Sequence, residues 1–198
     1  MVGMDTLVLA SMFQVFVCVF STEVLNAPKP GSPEELKEAL NTTDKIWLAK
    51  RRTNKTTSNT CLYWQQKSFV GDVYEFTESY WDGSQQRTQQ LNGKITSPPA
   101  SKEEGAALEV TGVSEQGPNL EYLLVHFESK HHCAIFYTQE KLGGRLENQT
   151  CGLYYWNTNV DQEEDQTACD KHYEDFCGPY RARDQILYNS SCHSLPGC

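Results

Sequence analysis

The sequence predicts an all-β protein with flanking helices, in which about eight short strands form an antiparallel barrel or sandwich. One observation is a series of segments rich in aromatic and aliphatic residues at near-regular spacing. A second is the turn signals between those segments, and a third is a helical pattern before the strands and another after them. The predicted strands are residues 46–51, 61–66, 73–81, 107–113, 120–128, 133–140 and 151–158. The turn signals are Asp82-Gly83, Asn92-Gly93, Pro98-Pro99, Gln116-Gly117-Pro118 and Gly143-Gly144.

The chain begins with the pattern of a secretory signal peptide. Residues 7–20 are apolar except for Ser11 and Gln14, and this run is too short to span a bilayer, which takes roughly 20 apolar residues. An apolar run of this length followed by small residues is typical of a signal, although no Lys or Arg precedes it. We therefore expect residues 1–21 to be cleaved, residues 22–198 to form a single domain, and the mature protein to be secreted and extracellular.

A short helix is predicted to precede the strands. Residues 22–31 contain two prolines and a glycine and predict a flexible lead-in. Ser32 can then cap a helix, Pro33 suits its first position and Glu35 completes a capping box. Three apolar residues fall on one side of this helix, so that side should pack against the body of the protein. They are Leu36, Ala39 and Leu40.

A longer helix is predicted to follow the strands, at about residues 163–177. Acidic residues occur early in this segment, as suits a helix N-terminus, and Gly178-Pro179 ends it. Four residues at positions i, i+4, i+7 and i+8 form one face directed at the body of the protein. They are Cys169, Tyr173, Phe176 and Cys177. Residues 193–198 are a short tail.

The charge balance argues against two classes of partner. The formal net charge is −9, and loss of Asp5 with the signal leaves −8. Phosphates require basic patches, so we expect no nucleic-acid partner, and we expect no membrane partner either. An acidic protein is compatible with a cationic small ligand, although acidity in a secreted protein also serves solubility.

The cysteine count indicates disulfides and one unpaired thiol. Cys18 leaves with the signal, and an odd number remains: Cys61, Cys133, Cys151, Cys169, Cys177, Cys192 and Cys198. Cys169 and Cys177 cannot pair with each other, because two helical turns separate them by roughly 12 Å. The alternative of zinc at His131-His132-Cys133 matches no known spacing, and adjacent histidines rarely ligate one ion. We predict no metal site and no cofactor.

Four N-x-Ser/Thr sequons predict surface glycosylation, at Asn41, Asn54, Asn148 and Asn189. In contrast, no catalytic motif is present: the chain has no G-x-S-x-G, no P-loop and no HExxH. The histidines are scattered, and His126 with Glu128 at same-face strand spacing is explained equally well by a solvated face. We expect a binding protein, not an enzyme.

The motifs of the chain resemble those of the tick salivary lipocalins, the histamine-binding protein family. The residues that carry the resemblance are Thr60-Cys61, His131 to Cys133, Cys151 to Trp156, Ala168 to Gly178, and Tyr188 to Cys192. Their order and spacing cover nearly the whole mature chain. The resemblance implies an eight-stranded antiparallel lipocalin barrel with the C-terminal helix packed outside it.

The resemblance also implies the disulfide pairs Cys61–Cys192, Cys133–Cys169 and Cys151–Cys177. From the sequence, a pairing of Cys61 with Cys198 in place of Cys192 stays open. With the implied pairs, Cys198 is left as a surface thiol that links two chains in a dimer or is capped by a small thiol.

The function implied by the resemblance is the capture of a small host mediator during the bite, either a biogenic amine such as histamine or serotonin or a lipid eicosanoid. The alternative is an inhibitor that binds a host defence protein, such as a complement component, and holds no tight small ligand. Large Trp and Tyr side chains filling the interior would favour that alternative.

The chain departs from the amine-binding signature of the family. The signature has an Asp after its first Cys and a Glu before its Leu-[Trp/Tyr]; here Ala134 and Gly152 stand in these places. A desolvated ammonium group needs a carboxylate, so we expect at most one, weak histamine site. The face of these strands then offers an apolar lining of Phe136, Tyr154 and Trp156 with room left by the small residues, which suits a lipid or a flat aromatic ligand.

A second predicted wall comes from strand 73–81. Its alternating residues Tyr74, Phe76, Glu78 and Tyr80 share one face. If this face points inward, Glu78 is an interior carboxylate among aromatic rings that can hold one ammonium group. The alternative is that the aromatics only fill the core and Glu78 lies at the barrel mouth.

Overall fold

The computed structural model describes residues 30–99, 104–141, 149–180 and 182–195. The predicted signal peptide, the Gly143-Gly144 turn, Asn148 and Cys198 lie outside the described residues, so what the sequence predicts for them stays a prediction. Within the described ranges, no helix has both the length and the apolar character needed to cross a bilayer.

The described residues form eleven strands and two α-helices. Helix α1 is Pro33–Leu40 and helix α2 is Glu163–Cys177. The strands are β1 (Ile46–Thr53), β2 (Thr60–Val70), β3 (Val73–Trp81), β4 (Gln86–Thr96), β5 (Ala107–Thr111), β6 (Val113–Ser114), β7 (Gly117–Pro118), β8 (Leu120–Glu128), β9 (Cys133–Glu140), β10 (Thr150–Trp156) and β11 (Arg183–Ile186). A short 3-10 helix, Ser190–Ser194, follows β11.

Eight of these strands close into an antiparallel barrel, as predicted. The barrel order is β1, β2, β3, β4, β5, β8, β9 and β10, and pairing of β10 with β1 closes it. Strands β6 and β7 form a small hairpin outside this order. The edge of β1 opposite β10 is shared by two strands. Ile46 and Trp47 pair with β2, and residues Lys50 to Thr53 pair with β11.

Strand β4 was not predicted, and the predicted turn at Asn92-Gly93 is wrong. The segment looked polar because its outward positions carry Gln, Thr, Asn and Lys, while only its inward positions at Leu91 and Ile95 are large and apolar. Asn92-Gly93 lies within the strand, where Gly93 pairs with Tyr74 on one side. A Cβ on Gly93 would lie 2.5 Å from Leu108 Cδ1, so the glycine allows a close side-chain approach and makes no turn.

Helix α1 forms as predicted. The backbone N–H of Glu35 donates to Ser32 Oγ (3.2 Å), and the N–H of Ser32 donates to Glu35 Oε2 (2.7 Å), which completes the capping box. Its three apolar residues are buried in the barrel interior core. Of the predicted lead-in at residues 22–31 only Pro30 and Gly31 are described, and Gly31 donates its N–H to the Leu124 carbonyl of β8 (2.9 Å), so the flexibility of this segment stays a prediction.

Helix α2 packs on the outside of the barrel with the predicted ends and the predicted buried face. The structure contains the three disulfides that the resemblance implies, Cys61–Cys192, Cys133–Cys169 and Cys151–Cys177. Two of them join α2 to β9 and β10.

The barrel wall therefore separates two apolar layers. One fills the interior, and the other lies outside β1, β2, β8, β9 and β10, under helix α2 and the C-terminal tail. Both faces of β9 and β10 are buried, for example Ile135 outside and Phe136 inside. This double burial explains why these strands read as nearly continuous apolar runs.

Candidate ligand-binding site

Strand β3 directs Glu78 into the barrel. Side chains alternate across a strand, and Tyr74, Phe76 and Glu78 are all fully buried on the inward face. Glu75 and Thr77 between them are only half-buried, on the outer face. The face proposed from the sequence therefore points inward, and Glu78 is an interior carboxylate.

Four neutral donors bind the Glu78 carboxylate. Oε1 accepts from Gln89 Nε2 (2.6 Å) and the Glu115 backbone N–H (2.6 Å), and Oε2 accepts from Ser114 Oγ (3.0 Å) and Trp64 Nε1 (3.2 Å). Because Ser114 donates to Glu78, the Tyr122 hydroxyl 3.1 Å away donates to Ser114. Among the described residues no cation contacts Glu78.

The pKa of Glu78 is raised from its usual range. Burial is the main cause, and the four hydrogen bonds lower the pKa by less than burial raises it. The site is thus a carboxyl group surrounded by neutral dipoles, and its ionised form has no cationic partner among the described residues. A cation placed beside it would restore the balance.

Aromatic rings pack around this carboxyl group. Trp64 lies at their centre, with its ring centroid 4.9 Å from Tyr122, 4.9 Å from Tyr154, 5.2 Å from Phe76 and 6.1 Å from Phe136. Trp64 comes from β2 and donates its indole N–H to Glu78. Trp64 thus anchors the aromatic cluster to the acid.

Two tyrosine hydroxyls in the interior have no hydrogen-bond partner within the described part of the chain. They belong to Tyr74 and Tyr154, both fully buried. Burial raises the pKa of both, so both hydroxyls stay protonated and available as donors. Buried polar groups are normally satisfied, and these two therefore mark places where a ligand or water atom would be stabilised.

A buried ion pair stands at the barrel mouth next to Glu78. Arg51 binds both carboxylate oxygens of Glu115, at 2.6 and 3.1 Å, and Asn59 also donates to Glu115. Both charged side chains are almost fully buried, with 4% and 2% of their surfaces exposed. They line a pocket of about 180 Å³ together with Lys55, Gln116 and neighbouring threonines. Glu115 thus connects the two groups: its side chain lines this pocket, and its backbone N–H donates to Glu78.

A wider groove of about 540 Å³ lies elsewhere, on the outer surface of β4 and β5. Its lining includes Lys94, Thr111 and Pro118, which are exposed to solvent. Among the described residues, none that lines this groove forms a hydrogen bond with Glu78. We therefore place the candidate site at the mouth and interior.

The structure brings together most of the residues proposed from the sequence. Tyr74, Phe76, Glu78, Phe136 and Tyr154 all belong to the barrel interior. Tyr80 is half-buried at its margin, and burial together with the charges of Glu115 and Glu78 raises its pKa.

Trp156 has different neighbours. Its indole N–H donates to the Ala39 carbonyl of α1 (3.2 Å), and its ring stacks on His132 at 4.2 Å. Those contacts are with α1 and the β8–β9 connection, not with Glu78.

Sequence reasoning missed Trp64, Gln89, Ser114, Glu115 and Arg51. Leu62 and Trp64 share a face of the predicted strand 61–66, but the opposite face with Cys61 and Tyr63 is equally apolar. Gln89 lies on the unpredicted strand β4.

The positions of the amine signature lie inside the barrel, as expected. Ala134 and Gly152 are both buried. The expected room at Gly152 is absent, however, because a Cβ there would lie 2.9 Å from Tyr154 Cε2 and 3.0 Å from Leu48 Cδ1.

The adjacent histidines of the HHC motif diverge. His131 Nδ1 lies 2.7 Å from Asp165 Oδ1, and His132 Nδ1 lies 3.0 Å from Asn159 Oδ1. The next residue, Cys133, is in a disulfide. The three side chains therefore do not converge on one ion.

A closed eight-stranded antiparallel barrel with one extra strand and a C-terminal helix on its outside defines a lipocalin. The chain belongs to the tick histamine-binding protein family, whose family model, described as tick histamine binding protein, matches residues 24–194. No curated protein sequence matches the chain significantly.

Three solved structures illustrate the fold at low sequence identity. AM182 in complex with serotonin has a TM-score of 0.57 and 13% identity over 81% of this chain and 94% of that one. Insecticyanin from the tobacco hornworm Manduca sexta has a TM-score of 0.57 and 13% identity over 85% and 88%. Japanin from Rhipicephalus appendiculatus bound to cholesterol has a TM-score of 0.50 and 14% identity over 78% and 98%.

Proposed function

We propose that this protein is a secreted binding protein, not an enzyme, that sequesters a small mediator in its barrel, and that the mediator is a flat aromatic monoamine. The observation that carries the proposal is Glu78, a fully buried carboxyl group held by four neutral donors. The ammonium group of the ligand supplies the missing positive charge, and aromatic faces surround it.

The same observation disfavours an anionic lipid. The carboxylate of an eicosanoid would meet a second carboxyl group in the interior, and the two could not both be ionised there because like charges disfavour each other. Two cations line the mouth pocket: Arg51 is already bound by Glu115 through two hydrogen bonds, and Lys55 donates to the Gln116 carbonyl (3.2 Å). A neutral sterol or an aromatic amine meets no such repulsion.

One amine site is favoured over two. Ala134 and Gly152 carry no acid where the family signature has one, and the space beside Gly152 is filled by Tyr154 and Leu48. A dication such as doubly protonated histamine would leave one charge without a partner. The lining therefore supports a single ammonium group attached to a ring.

Family membership and the three disulfides support secretion into the bite. Disulfides persist in oxidising extracellular compartments. Three of the four sequon asparagines, Asn41, Asn54 and Asn189, are exposed, as glycan attachment requires.

Calorimetry with a matched ligand pair tests the proposal. Tryptamine and tryptophol share the indole and differ in an ammonium group against a hydroxyl. We expect tryptamine to bind with one site and Glu78→Gln to weaken it by about tenfold or more, equivalent to 1.4 kcal/mol. The control is Glu75→Gln on the outer face of the same strand, where Glu75 contacts Ser68. Equal affinity for tryptamine and tryptophol would contradict recognition of the charge.

A second function is favoured by the packing around Trp64. Rings on four sides fill the centre of the barrel. In that case the barrel is a rigid scaffold, and the chain inhibits a host defence protein through its surface. Failure of tryptamine, cholesterol and arachidonate to bind the wild-type protein would favour this function over sequestration.

A further inference from the structure

Although the sequence predicts no metal site, we propose that the outer wall of the barrel carries a binding site for a divalent transition metal ion of the Zn²⁺ class, formed by His126, Glu128 and His172. His126 and Glu128 lie on β8, and His172 lies on α2. One ligand atom from each of the three lies within 4.8 Å of the others. All three side chains are half-buried.

The separation of these atoms is close to what a metal requires. Tetrahedral zinc with bonds of 2.0–2.2 Å places neighbouring ligand atoms about 3.3 Å apart. Rotation of the side chains about their own bonds can close the remaining gap. The two imidazole rings are already neighbours, with centroids 4.2 Å apart.

A β-bulge aims His126 at the helix. The register of β8 with β9 shifts between Leu124 and His126, so that the side chains of Val125 and His126 both face outward. In a regular strand His126 would face inward like Leu124, because side chains alternate. Regular alternation resumes after the bulge, so Glu128, two residues after His126, also faces outward.

The position of His172 is fixed by the packing of α2. The disulfides at Cys169 and Cys177 hold the helix against β9 and β10 on either side of this residue. One turn after His172, Phe176 stacks on His126 with centroids 5.2 Å apart. The His126 ring thus has one aromatic neighbour and one imidazole neighbour.

His126 shows that this cluster differs from an ordinary solvated face. Its Nε2 is buried and has no hydrogen-bond partner among the residues that the structure describes. Leaving a buried polar atom unpaired is unfavourable, and coordination of a metal would satisfy it. The carboxylate of Glu35, which interacts with His126 only through its charge, makes no hydrogen bond to this nitrogen, and its Oε2 accepts from the Ser32 N–H in the α1 cap.

The donor types select the metal. Imidazole nitrogens favour Zn²⁺, Cu²⁺ and Ni²⁺, whereas Mg²⁺ and Ca²⁺ prefer sites made of oxygen. Two neutral imidazoles and one carboxylate leave a net positive site with a coordination position for water. The site lies on the outside of the wall, whereas Glu78 lies inside, so metal binding and amine binding are separate properties.

Metal titration of the mature, disulfide-bonded protein without a polyhistidine tag tests this site. After treatment with chelator, we expect one Zn²⁺ per chain by calorimetry and no heat with Mg²⁺. Replacing one ligand in His172→Gln or Glu128→Gln should weaken Zn²⁺ binding by roughly tenfold or more. Loss of a group that only hydrogen-bonds to a ligand already has an effect of this size, and loss of a ligand itself should have at least the same effect. Circular dichroism establishes that each variant keeps its fold.

The matched control is His131→Gln, which removes a histidine that pairs with Asp165 outside the cluster. Zn²⁺ binding lost in His131→Gln but kept in His172→Gln would overturn the proposal. A measurement on the unaltered protein is independent of folding in the variants. Paramagnetic resonance of bound Cu²⁺ should show two coordinated nitrogens at one equivalent, and a spectrum with oxygen ligands alone would overturn the proposal as well.

Discussion

The ring of Tyr154 lies against the backbone of Gly152, two residues earlier on the same face of β10. A Cβ on Gly152 would approach Tyr154 Cε2 to 2.9 Å. From that position Tyr154 reaches Trp64, with centroids 4.9 Å apart, and the aromatic cluster around Glu78 depends on this contact. The glycine that replaces the acid of the family signature thus does more than remove a charge, because it makes room for a ring.

The first prediction concerns this close approach. Gly152→Ala should lower the free energy of unfolding by about 1–3 kcal/mol, because the added methyl overfills a packed core. In a Tyr154→Leu background the same substitution should be less destabilising, since the ring that it meets is absent. Urea unfolding of the four proteins gives the coupling energy. An equal loss in both backgrounds would show that Tyr154 does not set the requirement for glycine.

The second prediction concerns the pH dependence of stability at Glu78. The pKa of this group is raised in the folded protein, so above its ordinary value of 4.5 the folded state holds a proton that the unfolded state has lost. The contribution of Glu78 to stability is therefore fully present below that value and falls as the pH rises through the folded-state pKa. The difference in unfolding free energy between wild type and Glu78→Gln should thus decrease between acid and neutral pH. A difference that is constant with pH would contradict the raised pKa.

The third prediction links this pKa to the proposed ligand. An ammonium group next to Glu78 favours the ionised carboxylate, so an amine should displace the proton from Glu78 on binding. Tryptamine affinity should then increase as the pH rises through the folded-state pKa of Glu78 and level off above it. Calorimetry in two buffers with different ionisation enthalpies measures the released proton. Uptake of a proton on binding would be inconsistent with this role.

The two helices and most strands of the barrel were predictable because their signals are local. Ser32 and Glu35 define the start of α1, and acidic residues with a terminal Gly178 define α2. Strand β4 was not predicted because its outer face is exposed to solvent and carries few apolar residues. Its Asn92-Gly93 pair is typical of a turn, but here Gly93 lies within the strand, where the close approach of Leu108 requires a residue without a side chain.

The candidate site was only half predictable. Periodicity places Tyr74, Phe76 and Glu78 on one face of β3, but it does not say which face of strand 61–66 points inward. Trp47 and the C-terminal tail cover the outer face of that strand as well, so Tyr63 is buried like Trp64. The donors Ser114 and Glu115 come from a hairpin 36 and 37 residues away, and no pattern in the sequence brings them to Glu78.

The fourth prediction concerns the ion pair at the mouth. Burial alone would raise the pKa of Glu115, but the hydrogen bonds and charge of Arg51 outweigh it, and the pKa is lowered. Arg51→Met leaves a buried carboxylate without its cation and should lower the unfolding free energy by about 3–5 kcal/mol at neutral pH. Arg87→Met, which breaks an ion pair with Asp82 at the surface, should have a much smaller effect.

The loss caused by Arg51→Met should shrink in acid. A lowered pKa in the folded state stabilises the protein above the unfolded-state pKa, and this stabilisation disappears as the pH falls through the folded-state value. In the variant Glu115 takes up a proton at higher pH than in wild type. Denaturant unfolding at neutral and acid pH measures the change, and an undiminished loss in acid would indicate that packing, not charge, makes Arg51 important.

The fifth prediction concerns the attachment of helix α2. Its solvent side is strongly polar, and it is held to the wall by the disulfides at Cys169 and Cys177 and by hydrogen bonds such as Tyr137 Oη to the Phe176 carbonyl (2.8 Å). Replacing Cys151 and Cys177 together by serine should lower the unfolding free energy by about 2–4 kcal/mol, largely by freeing the unfolded chain.

Local opening should also increase at the C-terminal half of the helix. Hydrogen exchange in residues 173–177 should become faster, whereas exchange in β3 and β4 should change little, because the barrel closes without the helix. Tryptamine affinity should be unaffected, since Glu78 and its donors lie inside the wall. Loss of amine binding in the Cys151→Ser, Cys177→Ser variant would mean that α2 shapes the interior, and the ligand site would then have to extend to the β10 wall.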